Sequence, residues 1–434
     1  MTIPLRPLDL VGIGFGPGNL GLAIAASEHS EPLSMRFLER QSEFGWHRGM
    51  LIPDARMQIS FLKDLVTLRN PSSTFSFLAY LKARGRLIDF LNRQSFFPTR
   101  IEFHDYLGWA ARRFEDVVDY GADVTDIRPV EGRGEPLLEV TARRAGHTHR
   151  LLARSVVVAA GLAPHLPPGV VLSERVWHNS DLVFHIERFG REHAGTARRF
   201  VVVGAGQSAA ESVEYLHRSF PSAEVHAVHD SWGYSPADDS PFANRVFDPE
   251  AAHAFHRSPP EVRERIVARH RNTNYSVVDP DLITDLYEKH YAERVAGVER
   301  LHFHRMSRVA SVDTAPGGGV EVSVLSGVDG TSSTLVADSL VYATGYRSRD
   351  PGRLLGGGLV AERGADGTIP VGPDYRLPVT GSAAPIFVQG ATERTHGLAS
   401  TLLSNVAERS GEILAAVLGH RAGLTYAAAS AVSS

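Results

Sequence analysis

Hydrophobic and polar positions follow the same pattern in two distant parts of the chain. A mostly apolar run, Leu8–Gly12, ends in glycines and leads into a helix beginning near Pro17, where proline suits the first helical turn. The pattern returns at Phe200–Val203. Second strands are predicted at Met35–Arg40 and Glu224–His229. The chain is therefore predicted to be α/β, with two strand–turn–helix–strand units.

The rest of the pattern fills in these two units. Further buried or strand-like segments are predicted at Leu137–Ala142, Ser155–Gly161, Leu301–His304, Val320–Leu325, Asp338–Thr344 and Ile386–Gly390. Helices are predicted at Thr74–Arg84, Ile101–Phe114 and Leu398–Leu418. From Ser231 to about Ala296 the chain is polar and rich in His and Arg, which predicts a small helical lobe.

The order of these segments predicts one domain interrupted by another. We expect the first domain to span residues 1–190 and to be completed by 338–420. The second is expected in 197–232 and 297–337, with the helical lobe in 233–296. Residues 421–434 are Ala/Ser-rich and are predicted to be a flexible tail.

Each unit carries a glycine-rich turn between its first strand and its helix. The turns read Gly12-Ile-Gly14-Phe-Gly16-Pro17-Gly18-Asn19 and Gly204-Ala-Gly206-Gln207-Ser208-Ala209. Glycines let the backbone approach a pyrophosphate, and the helix N-terminus favours its charge. Glu39 follows the first turn by about twenty residues, where a ribose hydroxyl is usually bound. Two such turns predict two Rossmann-like domains holding a flavin and a nicotinamide dinucleotide.

Composition excludes several kinds of chemistry. The 434 residues are 43% hydrophobic and 22% charged, with a net charge of −4, which gives no reason to expect nucleic acid or a membrane as a partner. The absence of cysteine excludes disulfides and a thiolate nucleophile, and it fits a reducing cytoplasm. No apolar run reaches bilayer-spanning length, so we expect a soluble cytoplasmic protein.

Two histidines raise the question of a metal. His302 and His304 alternate on a predicted strand, so their side chains share one face. No carboxylate or histidine in the sequence pattern is matched to them. We therefore expect no metal site.

Several motifs together resemble one enzyme family. They are Gly14–Leu20, Trp46-His47, Met57–Asp64, Thr67–Pro71, Asp239–Asn244, Asn272–Ser276, Ala343–Tyr346, Thr395–Leu398 and Leu402–Ser404. In order on one chain, they resemble the flavin-dependent N-hydroxylating monooxygenases, specifically the L-ornithine N5-monooxygenases of siderophore and related biosynthesis. The resemblance runs from about Leu8 to Leu418.

The resemblance implies a reaction and its cofactors. In this family NADPH reduces FAD, oxygen adds to give a C4a-hydroperoxyflavin, and the neutral side-chain amine attacks the distal oxygen, with NADP⁺ still bound. The expected product is N5-hydroxy-L-ornithine. The expected partners are the amine substrate and molecular oxygen, and relatives are often tetramers, so a homo-oligomer (tetramer or dimer) is expected.

The resemblance also implies residue roles. Lys63 is expected to bind the substrate carboxylate, Asn244 to hydrogen-bond its amino acid end, and Ser404 to contact it from the C-terminal helix. Asn274 is expected between substrate and nicotinamide ribose, and Gln58 beside the flavin, both as catalytic residues. The expected FAD contacts are Gly12, Gly14, Gly16, Pro17, Gly18, Asn19, Glu39, Trp46, His47, Gln58, His396 and Leu402. The expected NADPH contacts are Gly204, Gly206, Gln207, Ser208, Ala209, His229, Asn274, Ala343, Thr344, Gly345 and Tyr346.

Simpler interpretations of these residues stay open at this point. Lys63 could lie on a solvated helix face, Asn244 and Asn274 could be turn or cap residues, Ser404 could cap its helix, and Trp46 could belong to the core. His229 stands where some relatives carry an arginine for the 2′-phosphate, which leaves NADPH over NADH selectivity open.

Alternatives to ornithine hydroxylation also remain. A diamine such as putrescine or cadaverine, or L-lysine, could be the substrate of the same chemistry. A disulfide reductase is excluded by the lack of cysteine, and the segment before Gly204 lacks the Baeyer–Villiger fingerprint. A nucleotide-binding regulator without activity is the third class.

Overall fold

A computed structural model describes residues 6–130, 134–193 and 195–432, with side chains described up to residue 423. Its strands are β1 Leu10–Ile13, β2 Met35–Glu39, β3 Val118–Tyr120, β4 Asp123–Val130, β5 Leu137–Arg144, β6 His147–Ala153, β7 Val156–Val158, β8 Leu162–Pro164, β9 Val176–His178, β10 Arg199–Val203, β11 Glu224–Val228, β12 Leu301–His304, β13 Ser307–Thr314, β14 Val320–Ser326, β15 Ser332–Ala337, β16 Ser339–Tyr342, β17 Tyr346–Ser348, β18 Val360–Ala361, β19 Val379–Thr380 and β20 Ile386–Val388.

The α-helices are α1 Pro17–Ser27, α2 Phe77–Ala83, α3 Leu87–Asn92, α4 Arg100–Ala111, α5 Leu182–His193, α6 Gln207–Ser219, α7 Pro249–Arg257, α8 Pro260–Arg269, α9 Pro280–Ala296, α10 Glu393–His396 and α11 Val406–Val432. Short 3₁₀ helices lie at Arg48–Met50, Arg112–Val117, Asn179–Asp181, Ala243–Phe247, Arg271–Thr273, Pro351–Leu354, Leu398–Thr401 and Leu403–Asn405. Across the described residues, no helix has the length and apolar character needed to cross a membrane.

Two parallel five-stranded sheets form the centre of the fold. The first has the order β20-β7-β1-β2-β3 and the second β12-β11-β10-β16-β9. Each first strand is a short apolar run buried on both faces, as parallel strands covered on two sides require. The prediction of an α/β fold with two Rossmann-like units is confirmed.

Both sheets are covered in the same way. Apolar residues of α1, α4 and α11 pack on one face of the first sheet, and the antiparallel sheet β4-β5-β6 covers the other. Helices α5, α6 and α9 pack on the second sheet, whose other face meets β13-β14-β15. Each unit is therefore a three-layer sandwich with its own core.

The predicted domain boundaries differ from the observed sheet membership. β9 and β16 both pair within the second sheet, although residues 1–190 and 338–420 were assigned to the first domain. α9 also packs on the second unit through Leu286, although it falls in the predicted lobe of residues 233–296. The buried strand β16 and the mostly polar helix α9 carry no local mark of the core that each joins, and this explains the misassignment.

The C-terminal segment also differs from its prediction. The predicted helix Leu398–Leu418 begins with two 3₁₀ turns, and α11 starts only at Val406. α11 then continues to Val432 through the predicted flexible tail, because alanine is the strongest helix former. Residues 433–434 of that tail lie outside the described residues.

Candidate functional site

The first glycine-rich turn is tightly closed on one side and open on the other. Gly14 has φ +82°, and a Cβ there would overlap the carbonyl oxygen of Ala159, just after β7. A Cβ on Gly12 would overlap the ring of Phe37. At Gly16, in contrast, a Cβ would meet nothing within 4 Å. Packing therefore explains the first two glycines, whereas Gly16 leaves open space at the start of α1.

Two side chains hold this turn in shape. Asn19 is fully buried, and its Nδ2 donates to the carbonyl of Gly14 at 2.7 Å. Glu39 lies at the end of β2, and its Oε2 accepts from the backbone N–H of Phe15 at 2.7 Å. Both were predicted as FAD contacts. These bonds show that both also organise the loop itself.

The C-terminal segment forms a wall beside the first turn. Oε1 of Gln389, just after β20, would lie 3.1 Å from a Cβ on Gly18, and Nε2 of Gln389 lies 3.4 Å from Oδ1 of Asn19. Arg409 is buried, and its guanidinium donates to Gln389 and to the carbonyl of Ser400. The sequence analysis missed Gln389 and Arg409. The signal available was a polar residue directly after a buried strand.

Several buried polar atoms along this wall have no partner among the described residues. They are Thr392 Oγ1, His396 Nε2, Ser400 Oγ and both amide atoms of Asn405. His396 stacks on Tyr375 with ring centroids 4.2 Å apart, and burial lowers the pKa of His396 to about 3. Unpartnered polar atoms are costly in a core, so this wall fits a polar ligand.

The second turn repeats the geometry of the first. Gly204 has φ +141°, and a Cβ there would overlap the carbonyl oxygen of Ala343, just after β16. At Gly206 a Cβ would meet only backbone of Ser276, at 3.7 Å. Gln207 begins α6, and its Oε1 accepts from the backbone N–H of Asp279 at 2.8 Å. The loop before α9 is thereby fixed over this turn.

The N-termini of α1 and α6 are well suited to bind an anion. Neither α1 nor α6 has a side-chain cap at its N-terminus or an acidic residue in its first turn. Pro17 takes the first position of α1, Ser208 lies in the first turn of α6, and Ala209 packs under Gly204. Free N–H groups at a helix N-terminus bind phosphate well. The donor set of each turn therefore fits a dinucleotide pyrophosphate.

Aromatic rings join the two units beside these turns. His47 lies edge-to-face on Tyr346 at 5.7 Å, and Tyr346 on His178 at 5.2 Å. Trp46 contacts His47 at 5.0 Å and is half-buried against the first core. Burial raises the pKa of Tyr346 to about 12. The predicted flavin-side and nicotinamide-side aromatic residues thus meet at one junction.

The Ala343–Tyr346 motif closes this junction. Thr344 Oγ1 donates to the carbonyl of His165, and the Gly345 carbonyl lies 3.0 Å from Nε2 of His178. His229, predicted as a cofactor contact, directly follows β11, and its Nε2 has no hydrogen-bond partner among the described residues. Its side chain is buried, with Nδ1 2.8 Å from the carbonyl of Ser231. His229 therefore faces the interior beside the tip of β11.

The side chain of Lys63 has no partner within the part of the chain that the structure describes. Nζ of Lys63 makes no hydrogen bond or ion pair with another described residue, whereas Lys289 pairs with Glu214 and Asp285. Lys63 is also only partly exposed. A half-buried ammonium without a counter-ion is well suited to bind a carboxylate.

The neighbouring acid, Asp64, directs both of its oxygens to groups other than Lys63. Oδ1 of Asp64 accepts from the backbone N–H groups of Val66 and Thr67, at 2.9 and 2.7 Å. Oδ2 accepts from the Thr67 hydroxyl and from the N–H of Phe77. Asp64 is buried, and burial raises its pKa against these bonds. Asp64 therefore shapes the loop that carries Lys63.

The other predicted substrate residues lie around one small core. Asn244 lies in the 3₁₀ helix Ala243–Phe247, which packs on the 3₁₀ helix Leu398–Thr401 through Phe247 and Leu398. Leu402 and Tyr275 pack on the same core. These contacts bring together the segments that carry Asn244, Asn274 and Ser404, and the substrate roles of these three residues stay predictions.

The side chains of the predicted site residues differ in exposure. Ser404 is buried, whereas Asn274 and Gln58 are exposed. Nδ2 of Asn244 donates to the carbonyl of Asp239 at 2.7 Å, and this leaves Oδ1 as an acceptor. The loop of Lys63 belongs to the first core, which Leu403 also joins. Leu402 packs on the small core and Leu403 packs on the first core, so the segment that leads to Ser404 connects the two cores.

An ion pair missed by the sequence analysis connects the two units. Arg100, at the start of α4, makes two hydrogen bonds of 2.9 Å to the carboxylate of Glu211 on α6. Nε2 of Gln207 donates to the same carboxylate at 2.9 Å. The pair is nearly buried and bidentate, so it fixes the orientation of α4 against α6.

Comparison with known proteins identifies relatives of the same layout. A family model described as L-lysine 6-monooxygenase/L-ornithine 5-monooxygenase matches residues 6–348. An L-ornithine N(5)-monooxygenase of Burkholderia cepacia is 42% identical over 398 residues, which cover 90% of this chain and 89% of the relative.

Solved structures agree over nearly the whole chain. The ornithine N-hydroxylase of Kutzneria sp. 744, with reduced FAD, NADP⁺ and L-ornithine, has a TM-score of 0.91 and 44% identity and covers 96% of this chain and 100% of that one. A cadaverine monooxygenase of Erwinia amylovora bound to FAD has a TM-score of 0.83 and 25% identity, with 95% of each chain covered. The chain therefore belongs to the family of L-lysine 6-monooxygenases and L-ornithine 5-monooxygenases.

Proposed function

We propose that the protein hydroxylates the side-chain amine of L-ornithine with FAD, NADPH and molecular oxygen, giving N5-hydroxy-L-ornithine. The observation that carries the proposal is the unpaired Lys63 beside an Asp64 whose acceptors are already occupied. The similarity to the Kutzneria enzyme, with its L-ornithine complex, supports the same substrate. A hydroxylamine of this kind serves the assembly of a siderophore or a related natural product.

Each cofactor has its own group of residues in this proposal. FAD binds at the first turn, with its pyrophosphate on backbone N–H groups around Gly16 and Gly18, at the start of α1. NADPH binds at the second turn, near Gly206 and Gln207. When bound, the reduced flavin supplies activated oxygen for transfer to the amine. The surrounding protein positions the two dinucleotides and keeps water out of the junction at Tyr346.

The substrate is oriented from its amino acid end. Nζ of Lys63 binds the carboxylate of ornithine, and Oδ1 of Asn244 accepts from its α-ammonium group. Ser404 contributes its hydroxyl, Asn274 lies between the substrate and the nicotinamide ribose, and Gln58 lies beside the flavin. This arrangement leaves the side-chain amine free to face the flavin. The amine reacts there in its neutral form.

Diamines and lysine are the competing substrates. Putrescine and cadaverine have an ammonium group where ornithine has its amino acid end, and that group would meet the ammonium of Lys63. Like charges repel strongly when partly desolvated. L-Lysine keeps the amino acid end but is one methylene longer. Lys63 thus favours amino acids over diamines, and the similarity to the Kutzneria ornithine N-hydroxylase favours ornithine over lysine.

A substrate panel tests this proposal. Purified FAD-loaded protein is incubated with NADPH and either L-ornithine, L-lysine, putrescine or cadaverine, and the hydroxylamine product is quantified. We expect kcat/KM for ornithine to exceed that for each diamine by at least about 100-fold, because a charged pair is replaced by a repulsion. Hydroxylation of putrescine without hydroxylation of ornithine would overturn the proposed substrate.

Substitution of Gly206 tests the nicotinamide site. We expect Gly206→Ala to raise the KM for NADPH about tenfold or more, because the new methyl group enters the space over the N-terminus of α6. FAD content and thermal stability should stay unchanged, since the methyl group meets only Ser276 at an ordinary distance. NADPH oxidation rates give the KM.

Gly190→Ala is the matched control for this substitution. Gly190 lies within α5, and a Cβ there meets nothing within 4 Å. The control should leave the KM for NADPH unchanged. An equal KM in Gly206→Ala and in the wild type would contradict NADPH binding at the second turn.

Assembly and location stay predictions. We propose a homo-oligomer in a reducing cytoplasm, on the basis of the resemblance and the absence of cysteine. Tyr287, Tyr291, Val295 and Val298 form an exposed apolar row along and just after α9, which offers a surface for contact between copies. Light scattering after size-exclusion chromatography measures the mass. A monomer at micromolar concentration would refute the homo-oligomer.

A further inference from the structure

Four polar side chains gather on one face of the second sheet, away from the turns. β11 and β12 run parallel, and His226 is paired with His302 in the register. Glu224 precedes His226 by two residues and His304 follows His302 by two, so all four side chains point to the same face. The sequence analysis found no partner for His302 because strand pairing is not visible in the sequence.

The distances in this cluster match those of metal ligands. One ligand atom from each of Glu224, His226 and His302 lies within 4.8 Å of the others. Nε2 of His226 and Oε2 of Glu224 are 3.2 Å apart. Two ligands on a tetrahedral zinc ion, each bound at about 2.1 Å, lie about 3.4 Å apart. A metal can therefore replace the proton between these two atoms with little movement.

The third candidate ligand residue is His302, and one of its ring nitrogens, Nε2, is buried without a hydrogen-bond partner among the described residues. The rings of His302 and His226 are 4.4 Å apart. His302 and Glu224 are also partly exposed, so an ion can enter from solvent. A ring nitrogen of His302 already lies within 4.8 Å of the ligand atoms of His226 and Glu224.

The surroundings orient the ligands. Nδ1 of His226 lies 2.9 Å from Nε2 of His304, and a proton on Nδ1 leaves the lone pair of Nε2 free for a metal. A bond of this kind from a second layer of residues fixes tautomer and orientation in metal sites. The guanidinium of Arg199 contacts the same Oε2 of Glu224, with Nε at 2.7 Å, and so competes with a metal for that oxygen.

We propose that Glu224, His226 and His302 form a binding site for a divalent transition metal of the zinc type, with His304 orienting His226. Two imidazoles and a carboxylate are typical zinc ligands, and water supplies the fourth position. Bound metal links the edge strand β12 to β11. The ion thereby stabilises the sheet that carries the second turn.

The test uses the full-length, FAD-loaded protein after treatment with a chelator. Zn²⁺ is titrated by calorimetry, and Co²⁺ is used as a spectroscopic probe of tetrahedral coordination. We expect one Zn²⁺ per chain, an increase in melting temperature on binding, and at least a tenfold loss of affinity in His302→Gln. Circular dichroism verifies that this variant is folded. Glu224→Gln should show the same loss.

A control separates this site from surface histidines. His147 and His149 are exposed on β6, and the double variant His147→Gln/His149→Gln should keep the Zn²⁺ affinity of the wild type. Arg199→Gln should raise the affinity by removing a competing cation. Equal Zn²⁺ affinity in His302→Gln and the wild type, or no binding by the wild type, would overturn the proposal.

Discussion

Replacing Lys63 with alanine is expected to raise the KM for L-ornithine about 100-fold. The change removes the cation that we propose to bind the substrate carboxylate and leaves that carboxylate without this partner, which costs about 2.8 kcal/mol, or two tenfold steps. The reaction takes place at the other end of the substrate, so kcat should fall less than KM rises. Steady-state assays of hydroxylamine formation over a range of ornithine concentrations measure both constants.

The same variant separates charge recognition from general damage. NADPH oxidation without ornithine should stay near the wild-type rate, because the Lys63 side chain makes no hydrogen bond or ion pair with another described residue, and its backbone bond to Ser60 is kept in the variant. Discrimination between ornithine and putrescine should fall as well, since the diamine loses a repulsion. Lys82→Ala, an exposed lysine on α2, is the matched control. An ornithine KM within twofold of the wild type in Lys63→Ala would refute the assigned role.

Local features of the fold could be predicted from the sequence because they depend on neighbouring residues. The glycine turns at Gly14 and Gly204 were recognised because a buried apolar run directly precedes each of them. The helix near Pro17 and the acid at Glu39 follow at fixed spacings. These features depend on short-range geometry, and a single chain reveals that geometry.

Contacts between residues far apart in the chain could not be predicted from the sequence. β16 resembles any buried strand, and only its pairing with β10 assigns it to the second sheet. Glu211 gave no sign that its partner would be Arg100, more than a hundred residues away. Motif matching identified positions without distinguishing their roles. Asn70 of the Thr67–Pro71 motif donates to Glu28 at the end of α1, which is a bond that holds the loop in place.

Replacing Gly14 with alanine is expected to give a protein of lower stability that lacks FAD and has no hydroxylase activity. Gly14 has φ +82°, which costs a residue with a Cβ about 1–2 kcal/mol. The methyl group would also overlap the carbonyl oxygen of Ala159, so the turn must move away from β7. A displaced turn cannot present its N–H groups to the pyrophosphate. The visible flavin spectrum of the purified protein measures FAD content, and thermal unfolding measures stability.

Two further alanine variants separate the causes of this loss. Gly85 also has a positive φ, +68°, with nothing within 4 Å of a Cβ, so Gly85→Ala should lose stability but keep FAD. Gly16 has ordinary backbone angles and the same open space, so Gly16→Ala should keep the stability of the cofactor-free protein and lose FAD affinity. Only a ligand in that space can make Gly16 sensitive. Full FAD content in Gly16→Ala would therefore place the pyrophosphate elsewhere, whatever Gly14→Ala does to the fold.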